Sequence, residues 1–223
     1  MQRVIYRGGY EEERMGGKMS KGERTRRRIL ERSAPIFNTR GYSGTSVGDV
    51  AREAELEKAG IYNHFSGKEA LALAAFDYST GIMRRRFEEA LEGEEKVLVR
   101  LLAIVEEFGR LIEDPPVAGG CAMLNTAVES DDAHPALKER AAGVATEWLR
   151  LVGGLVKEGV ASGELKADAD PREAATVVVG TLEGALMLGK LLDDPEHLRR
   201  AERHVARYLR SLTREPRSRR AAG

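Results

Sequence analysis

The sequence has little of several residues and patterns that would point to a specialised class of protein. Its single cysteine, Cys121, excludes a disulfide framework and a zinc site built from several cysteines. Its longest uncharged run, residues 115–128, has 14 residues, whereas a membrane-spanning helix needs about 20 apolar ones. The first 18 residues contain no apolar segment of the kind that a secretory signal needs. We therefore expect a cytoplasmic protein without a membrane partner.

The remaining composition is that of an ordinary globular protein. Of the 223 residues, 42% are hydrophobic and 32% are charged, which sets the chain apart from disordered and collagen-like sequences. This length is enough to bury a real core, and it suits one large domain or two small ones.

Charge is unevenly distributed, although the formal net charge is zero. Residues 21–68 carry ten basic and six acidic side chains, whereas residues 69–209 carry 17 basic and 26 acidic ones. A basic N-terminal unit on a larger acidic body suggests that the first part meets a polyanion and the second does not. Charge alone leaves this open, since an ordinary solvated surface could carry the same excess.

Apolar residues recur at helical spacing through the chain, and no strand-like alternation interrupts them, which predicts an all-α fold. A first helix from residue 22 is expected to kink or lose part of its hydrogen-bond ladder at Pro35 and to stop at Gly41. Thr45 and Ser46, with Asp49 three residues after Ser46, predict the capped start of a short second helix.

The next spacing predicts a helix-turn-helix arrangement. Three residues, 55–57, separate the short second helix from a third one over residues 58–65. Ser66 and Glu69 then form a capping-box pattern that opens a longer helix. In this arrangement the third helix enters the major groove of DNA, which is wide enough for one helix.

The expected third helix divides its residues in a way that suits the reading of DNA. Ile61 and Phe65 can pack inward, and Gly60 permits the close approach of a backbone. The side chains left pointing outward can hydrogen-bond to base edges and phosphates; they are Lys58, Tyr62, Asn63 and His64. The same residues could also stand on the plain surface of a helical bundle.

Four further helices are expected beyond residue 91, three from apolar stripes and one from residues 174–189, and a short helix is expected near Cys121. Residues 174–189 are apolar on all sides, so we expect a helix that is buried on every face. Glu183 is the one charged residue in this stretch. A single carboxylate in such a helix must be paired or functional.

The N-terminal residues closely resemble the DNA-binding signature of the tetracycline-repressor (TetR) family. The resemblance is carried by Thr45, Ala51, Ala54 and residues 61–69, which read Ile-Tyr-Asn-His-Phe-Ser-Gly-Lys-Glu. These residues are specific in combination, and none of them is specific alone. Residues 120–127 and 134–137 look like one subgroup of the same family, on a weaker match.

Two positions depart from the family pattern. Glu55 and Ala59 stand where the family usually or often has glycine. A glutamate at a left-handed turn position would cost about 1 kcal/mol. Glu55 and Glu57 also place negative charge near the expected DNA surface.

The resemblance implies a three-helix helix-turn-helix DNA-binding domain followed by a helical effector-binding and dimerisation domain. Residues 1–20 would be a flexible tail, 21–68 the DNA-binding domain, 69–213 the second domain and 214–223 a basic tail. The last two helices of each subunit would form a four-helix dimer interface. The homodimer would bind a palindromic double-stranded DNA operator and usually repress a nearby gene until a small-molecule effector releases it.

The resemblance also implies which side chains meet DNA. Thr45 and Lys68 would contact phosphates, and residues of the third helix would line the groove. The complete set of expected DNA-binding residues is Thr45, Ser46, Lys58, Ala59, Gly60, Tyr62, Asn63, His64 and Lys68.

Candidate effector-binding residues in the second domain are Phe108, Cys121, Met123, Asn125, Trp148 and Glu183. Most have a plainer alternative: the aromatic and methionine side chains could be simple core, and Glu183 could cross the dimer interface. Cys121 is a small buried hydrophobe or, alternatively, a redox-sensing thiol. Asp131, Asp132 and His134 suit a helix cap better than a metal site, so we expect no metal and no other cofactor.

Enzymatic chemistry has no support in the sequence. No nucleophile–base pair, metal cluster or phosphate-binding loop is readable, so we expect a protein that is not an enzyme. The predicted function is a ligand-responsive DNA-binding transcriptional regulator, most often a repressor. The alternative is a DNA- or partner-binding helical protein without a small-molecule effector.

Overall fold

The computed structural model describes residues 19–130 and 133–214, and over these ranges the chain is built from α-helices without a β-strand. An isolated bridge pairs Leu165 with Thr213. The prediction of an all-α fold is confirmed. Most of the two predicted tails and the pair 131–132 lie outside the described residues. In chain order the helices are α1 (Lys21–Arg40), α2 (Val47–Glu53), α3 (Lys58–Tyr62), α4 (Lys68–Leu91), α5 (Val97–Gly109), α6 (Ala122–Ser130), α7 (Pro135–Ser162), α8 (Pro171–Leu191) and α9 (Glu196–Ser211).

Local sequence sets both ends of α1. Ser20 and Glu23 form a capping box, in which the Ser20 hydroxyl accepts the Glu23 N–H at 3.2 Å. The helix continues through Pro35 to Arg40, because a proline removes one donor from the ladder while the turns on either side keep theirs. Gly41 ends the helix at φ 74°, a conformation that glycine adopts without strain.

α2 and α3 follow as a helix-turn-helix, with one boundary different from the prediction. Ser46 and Asp49 form a complete capping box at the start of α2. α3 ends at Tyr62 and does not reach Phe65. After Tyr62 the carbonyl of Ile61 accepts the N–H groups of both His64 and Phe65 at 3.0 Å, and the chain leaves the helix in a turn.

The capping box predicted at Ser66 and Glu69 is wrong. α4 begins at Lys68, so Gly67 is the N-cap residue, and no side chain caps this helix. The start lies one residue later than the pattern suggested, which puts Ser66 outside the capping position.

Two hydrophobic clusters form the core, and α4 contributes to both. The N-terminal cluster packs α1, α2 and α3 around side chains such as Leu30 and Ile61, and it takes in Leu71 from the start of α4. The larger cluster joins Met83 and Phe87, further along α4, to side chains from the helices that follow. Any tilt of α4 therefore disturbs the packing of both parts.

α8 is buried on one side and open on the other, so the prediction of a helix buried on every face is wrong for the single chain. Leu182 and Leu186 are fully buried because α7 and α9 pack against that side. Met187 and Leu191 lie on the open side and are 45% and 73% exposed. By length and composition alone α8 could cross a membrane, but 44% of its most apolar stretch is buried inside the structure, and core helices of soluble proteins have the same length and composition.

Candidate nucleic-acid interface and effector site

The turn between α2 and α3 is held by backbone hydrogen bonds. The N–H of Ala54 donates to the carbonyl of Val50 at 2.9 Å, and the N–H of Leu56 donates to the carbonyl of Ala51 at 2.9 Å. Glu55, between them, has φ 54°. The expected left-handed position is therefore confirmed, and here a glutamate occupies it at a cost of about 1 kcal/mol.

A broad surface concavity of about 480 Å³ lies across the helix-turn-helix. Its lining brings five of the predicted DNA-binding residues onto one surface, together with their neighbours at the start of α2. The lining residues are Ser43, Gly44, Thr45, Ser46, Val47, Gly48, Asp49, Lys58, Tyr62 and Lys68. We name this surface the head concavity.

Thr45 has a different role from the one the resemblance implies. The residue is 2% exposed, and its hydroxyl donates to the carbonyl of Gly41 at 2.7 Å. A hydroxyl that is buried and already donating cannot offer its proton to a phosphate. Thr45 instead fixes the turn that leads into α2.

The two lysines of the head concavity are each held by a neighbour. The side chain of Lys58 crosses Gly48, where a Cβ atom would lie 2.9 Å from Lys58 Cε. The Nζ of Lys68 lies 4.2 Å from the ring centroid of Tyr42, a cation–π contact. These contacts limit the freedom of both side chains at the edge of the concavity.

The other predicted DNA-binding residues lie beside the concavity. Ala59 and Asn63 are exposed, and His64 is half-buried. Gly60 lies against Leu56, whose Cβ would be 3.5 Å from an added Cβ. α3 thus presents an open surface, which also includes Tyr62 with 54% of its area exposed.

The second domain contains two small internal cavities near the predicted effector-binding residues. Cys121, Met123 and Trp148 line the first together with Met83, and its volume is about 20 Å³. Phe108 and Trp148 line the second, of about 10 Å³, and their rings meet edge to face with centroids 5.9 Å apart. Each cavity has room for about one water molecule. An effector would therefore have to displace side chains to enter.

Glu183 lies behind Cys121 in the same core. The thiol of Cys121 donates to Glu183 Oε1 at 3.0 Å, and Glu183 Oε2 has no hydrogen-bond partner in the described part of the chain. Burial raises the pKa of the Glu183 carboxyl to about 7, and the Cys121 hydrogen bond opposes this rise. Burial and the Glu183 charge raise the pKa of the Cys121 thiol well above its usual range. The thiol therefore stays protonated, which does not favour reactive sulfur chemistry.

Asn125 is absent from the lining of both internal cavities. It instead joins α1, in the N-terminal part, to the helical part that follows. Its Nδ2 donates to Asn38 Oδ1 and to the carbonyl of Gly119, each at 2.9 Å. Asn38 Nδ2 donates in turn to the carbonyl of Ala118 at 2.9 Å. Lys190 of α8 donates to the Gly119 carbonyl at 2.6 Å and to Asn125 Oδ1 at 3.0 Å. α1, α6 and α8 thus share one hydrogen-bond network.

Glu129 is a residue of this junction that sequence reasoning missed. Its carboxylate accepts the N–H groups of Tyr42 and Ser43 at 2.7 and 2.8 Å. Tyr42 and Ser43 lie 87 and 86 positions before Glu129 in the chain, so no periodic pattern connects them with it. The predicted stop at Gly41 located the turn but gave no indication of what binds it.

Within residues 19–130 and 133–214, no group of three or more metal-binding side chains is close enough to hold an ion. His134 occupies the N-cap position of α7, but its side chain does not cap the helix. Its ring packs against Tyr42 with centroids 4.2 Å apart.

Comparison with known families matches both parts of this architecture. The family model described as "Bacterial regulatory proteins, tetR family" matches residues 29–75, and "Tetracyclin repressor-like, C-terminal domain" matches residues 97–205. A crystal structure of a TetR transcriptional regulator from Chloroflexus aurantiacus J-10-FL has a TM-score of 0.84 and 41% sequence identity, covering 88% of this chain and 99% of that one. The chain belongs to the TetR family.

Two curated relatives are similar over most of their length. The repressor DhaR of Mycobacterium sp. (strain GP1) is 27% identical over 173 residues, which cover 78% of this chain and 86% of DhaR. The repressor NemR of Escherichia coli (strain K12) is 25% identical over 190 residues, 83% of this chain and 94% of NemR. These TetR relatives are transcription regulators and not enzymes. This TetR-family chain is a ligand-responsive DNA-binding transcriptional regulator whose C-terminal domain is the ligand-binding region.

Proposed function

We propose that α3 is the recognition helix of this regulator and that the head concavity receives the phosphate backbone of its operator. The concavity supports this because two ammonium groups, from Lys58 and Lys68, border one open surface on the helix-turn-helix. Lysines that neutralise phosphates supply most of the affinity of a protein for DNA. Tyr62 and the backbone near Ser46 add hydrogen-bonding groups at the same surface.

Base recognition falls to the side chains beside the concavity. Asn63 is exposed at the end of α3, and an asparagine can bond to both adenine N6 and N7 in the major groove. His64 follows it in the chain, and Ala59 with Gly60 keeps the first turn of α3 narrow. Affinity would thus depend on the lysines, and sequence preference on Asn63 and His64.

The operator-binding form is a homodimer that acts on DNA in the cytoplasm. TetR-family regulators bind operators as homodimers, and the open side of α8 suits a partner helix. Gly180 and Gly184 on that side have nothing within 4 Å of an added Cβ, and Met187 and Leu191 are exposed. An apolar stripe with small residues permits close packing of a second α8, and α9 beside it would complete a four-helix interface.

Release from DNA follows from a change in the distance between two recognition helices. A dimer must match two half-sites about 34–36 Å apart. An effector that binds better to another subunit arrangement shifts the population away from that spacing. α4 contributes to both hydrophobic clusters, so expansion of the cavity at Met83 would tilt the DNA-binding part.

The effector itself would be a small, mostly apolar molecule with one polar group. Met83, Met123 and Trp148 supply apolar and polarisable contacts, and Glu183 lies one residue behind the cavity wall. A thermal-shift screen with small apolar compounds tests this, because a ligand at 100 times its Kd stabilises by about 2.7 kcal/mol. Cys121→Val, which replaces the thiol with two methyl groups at the cavity wall, should lose the shift. An equal shift in this variant would locate the effector elsewhere.

Selection of sheared genomic DNA tests the recognition surface. Wild type should enrich a palindromic site, and Tyr62→Ala/Lys68→Ala should lose it. Lys157→Ala serves as the control, because it removes a positive charge from the exposed surface of α7. Equal enrichment by the double variant and the wild type would contradict the proposed surface.

A further inference from the structure

Glu129, at the last turn of α6, binds the turn that follows α1 with both carboxylate oxygens. Oε2 accepts the N–H of Tyr42 at 2.7 Å, and Oε1 accepts the N–H of Ser43 at 2.8 Å. Hydrogen bonds from backbone N–H groups to an ionised carboxylate are shorter and about twice as strong as neutral ones. This clamp therefore binds the DNA-binding head, residues 21–68, firmly to α6.

The turn is built around this carboxylate. Gly41 has φ 74°, and a Cβ added there would lie 2.5 Å from Glu129 Oε2. Any larger residue at position 41 would collide with the carboxylate as well as strain the backbone. The close approach of the two chain segments is thus a property of both Gly41 and Glu129.

From the clamped turn, contacts lead to two sides of the head concavity. Thr45 bonds back to the Gly41 carbonyl at 2.7 Å and is followed by Ser46, which caps α2. The Nζ of Lys68 lies over the ring of Tyr42, 4.2 Å from the ring centroid. The position of Glu129 consequently fixes the start of α2 and the first residue of α4 together.

The other end of α6 reaches the first internal cavity. Met123, in the first turn, lines that cavity, and Asn125 bonds to Asn38 near the end of α1. A helix of nine residues is about 13 Å long, so α6 spans the distance from cavity to head as one rigid element. Motion at the cavity would reach the head through α6 as well as through α4.

We propose that Glu129 is the positioning residue that sets the angle of the DNA-binding head on the regulatory domain and so determines which half-site spacing the dimer accepts. Glu129 lines no part of the head concavity and acts through the turn at Tyr42 and Ser43. A clamped head presents α3 at one separation from its partner. A head without the clamp samples several separations, which weakens binding to the preferred operator and flattens discrimination between spacings. The proposal rests on DNA recognition by the head concavity.

The chain contains a matched control for this clamp. Glu164, which follows α7, accepts the N–H groups of Val97 and Leu98 at 2.9 and 2.8 Å. It holds the start of α5 within the regulatory domain and makes no contact with the head. Glu164→Gln therefore removes the same kind of interaction as Glu129→Gln without touching the link to the head.

The first experiment measures affinity for the operator that wild type selects and for versions with one or two base pairs added to or removed from the spacer. Glu129→Gln should bind the selected operator about tenfold more weakly, a loss of one charge-assisted bond, and its preference for the selected spacing should shrink. Glu164→Gln should keep the wild-type preference. An unchanged preference in Glu129→Gln, or an equal change in Glu164→Gln, would overturn the inference.

Amide hydrogen exchange of the DNA-free proteins separates this inference from the proposed function. Glu129→Gln should speed exchange over residues 41–50, and Glu164→Gln should speed it over residues 96–99. Slow exchange over residues 41–50 in Glu129→Gln overturns the inference even if every protein binds DNA. If wild type selects no operator, the proposed DNA surface fails, and the exchange result still decides whether Glu129 holds the head.

Discussion

Glu183 introduces an ionisable group into the core of the regulatory domain with one hydrogen bond and one unbonded oxygen. Burial raises the pKa of its carboxyl from 4.5 to about 7. Between these two pH values the folded protein holds a proton that the unfolded chain has released. The stability that this bound proton gives to the folded protein is therefore complete below pH 4.5 and is lost as the pH rises through 7.

Urea unfolding of wild type and Glu183→Gln at several pH values measures this effect. Each pH unit in that interval changes the free energy of unfolding by about 1.4 kcal/mol. Between pH 5 and pH 8 we expect the free energy of unfolding of wild type to fall by roughly 2 kcal/mol relative to that of Glu183→Gln. Glu107→Gln is the control, because Glu107 is also buried but pairs with Arg110. A constant difference between wild type and Glu183→Gln would show that Glu183 does not titrate in this range.

Glu55 is a second residue whose local environment has a measurable consequence. It holds φ 54° in the helix-turn-helix turn, a conformation that suits glycine. Glu55→Gly should raise the free energy of unfolding by roughly 0.5 kcal/mol, since the relieved strain of about 1 kcal/mol is partly offset by greater freedom of the unfolded chain. Glu53→Gly, in the last turn of α2, should instead lower the free energy of unfolding by about 1 kcal/mol. Thermal unfolding of both variants checks the opposite signs, and destabilisation of equal size in both would contradict the strain at Glu55.

At the scale of single helices, the DNA contacts proposed for α3 are of two kinds. Lys58 borders the head concavity, and Asn63 is exposed beside it. Lys58→Ala should weaken binding to all sequences and reduce the slope of log affinity against log salt by about 1. Asn63→Ala should leave the slope unchanged and relax the preference at one base pair by about 1–3 kcal/mol. Fluorescence anisotropy over a salt series, on selected and altered operators, distinguishes the two; a reduced slope in Asn63→Ala would reverse these assignments.

The presence of each helix was predictable because the apolar periodicity and the capping residues that indicate a helix lie within a few residues of one another. The start of α2 was predicted from Ser46 and Asp49. The left-handed conformation at Glu55 was expected only from the resemblance to the TetR family, in which glycine is usual at this position. The end of α3 and the start of α4 were predicted less accurately. α3 ends at Tyr62 and not at Phe65, and Ser66 is an acceptable cap by its residue type but lies one residue before the N-cap position of α4. The clamp at Glu129 was not predictable, since a carboxylate that binds backbone N–H groups 86 residues away leaves no local pattern.

At the scale of the whole molecule, α4 and α6 both join the DNA-binding part to the regulatory domain. α4 shares its apolar side chains between both hydrophobic clusters, and α6 carries the hydrogen bonds of Asn125 and Glu129. Apolar packing tolerates small shifts, whereas hydrogen bonds to fixed backbone groups have defined directions. The head would therefore tilt with α4, while the hydrogen bonds from α6 keep the turn after α1 in a fixed position relative to α6.

The open side of α8 leads to the last prediction, which concerns assembly. Gly184→Arg should convert the dimer to a monomer and abolish binding to a palindromic operator, because an arginine would separate the two α8 helices and leave a charge at their contact. Gly143→Arg is the matched control, since Gly143 on α7 is also a helical glycine with nothing within 4 Å of an added Cβ. Sedimentation velocity measures the assembly, and circular dichroism checks that both variants are helical. A dimeric Gly184→Arg would show that the subunits meet elsewhere. A monomer that still binds the full operator with wild-type affinity would contradict the need for two linked recognition helices.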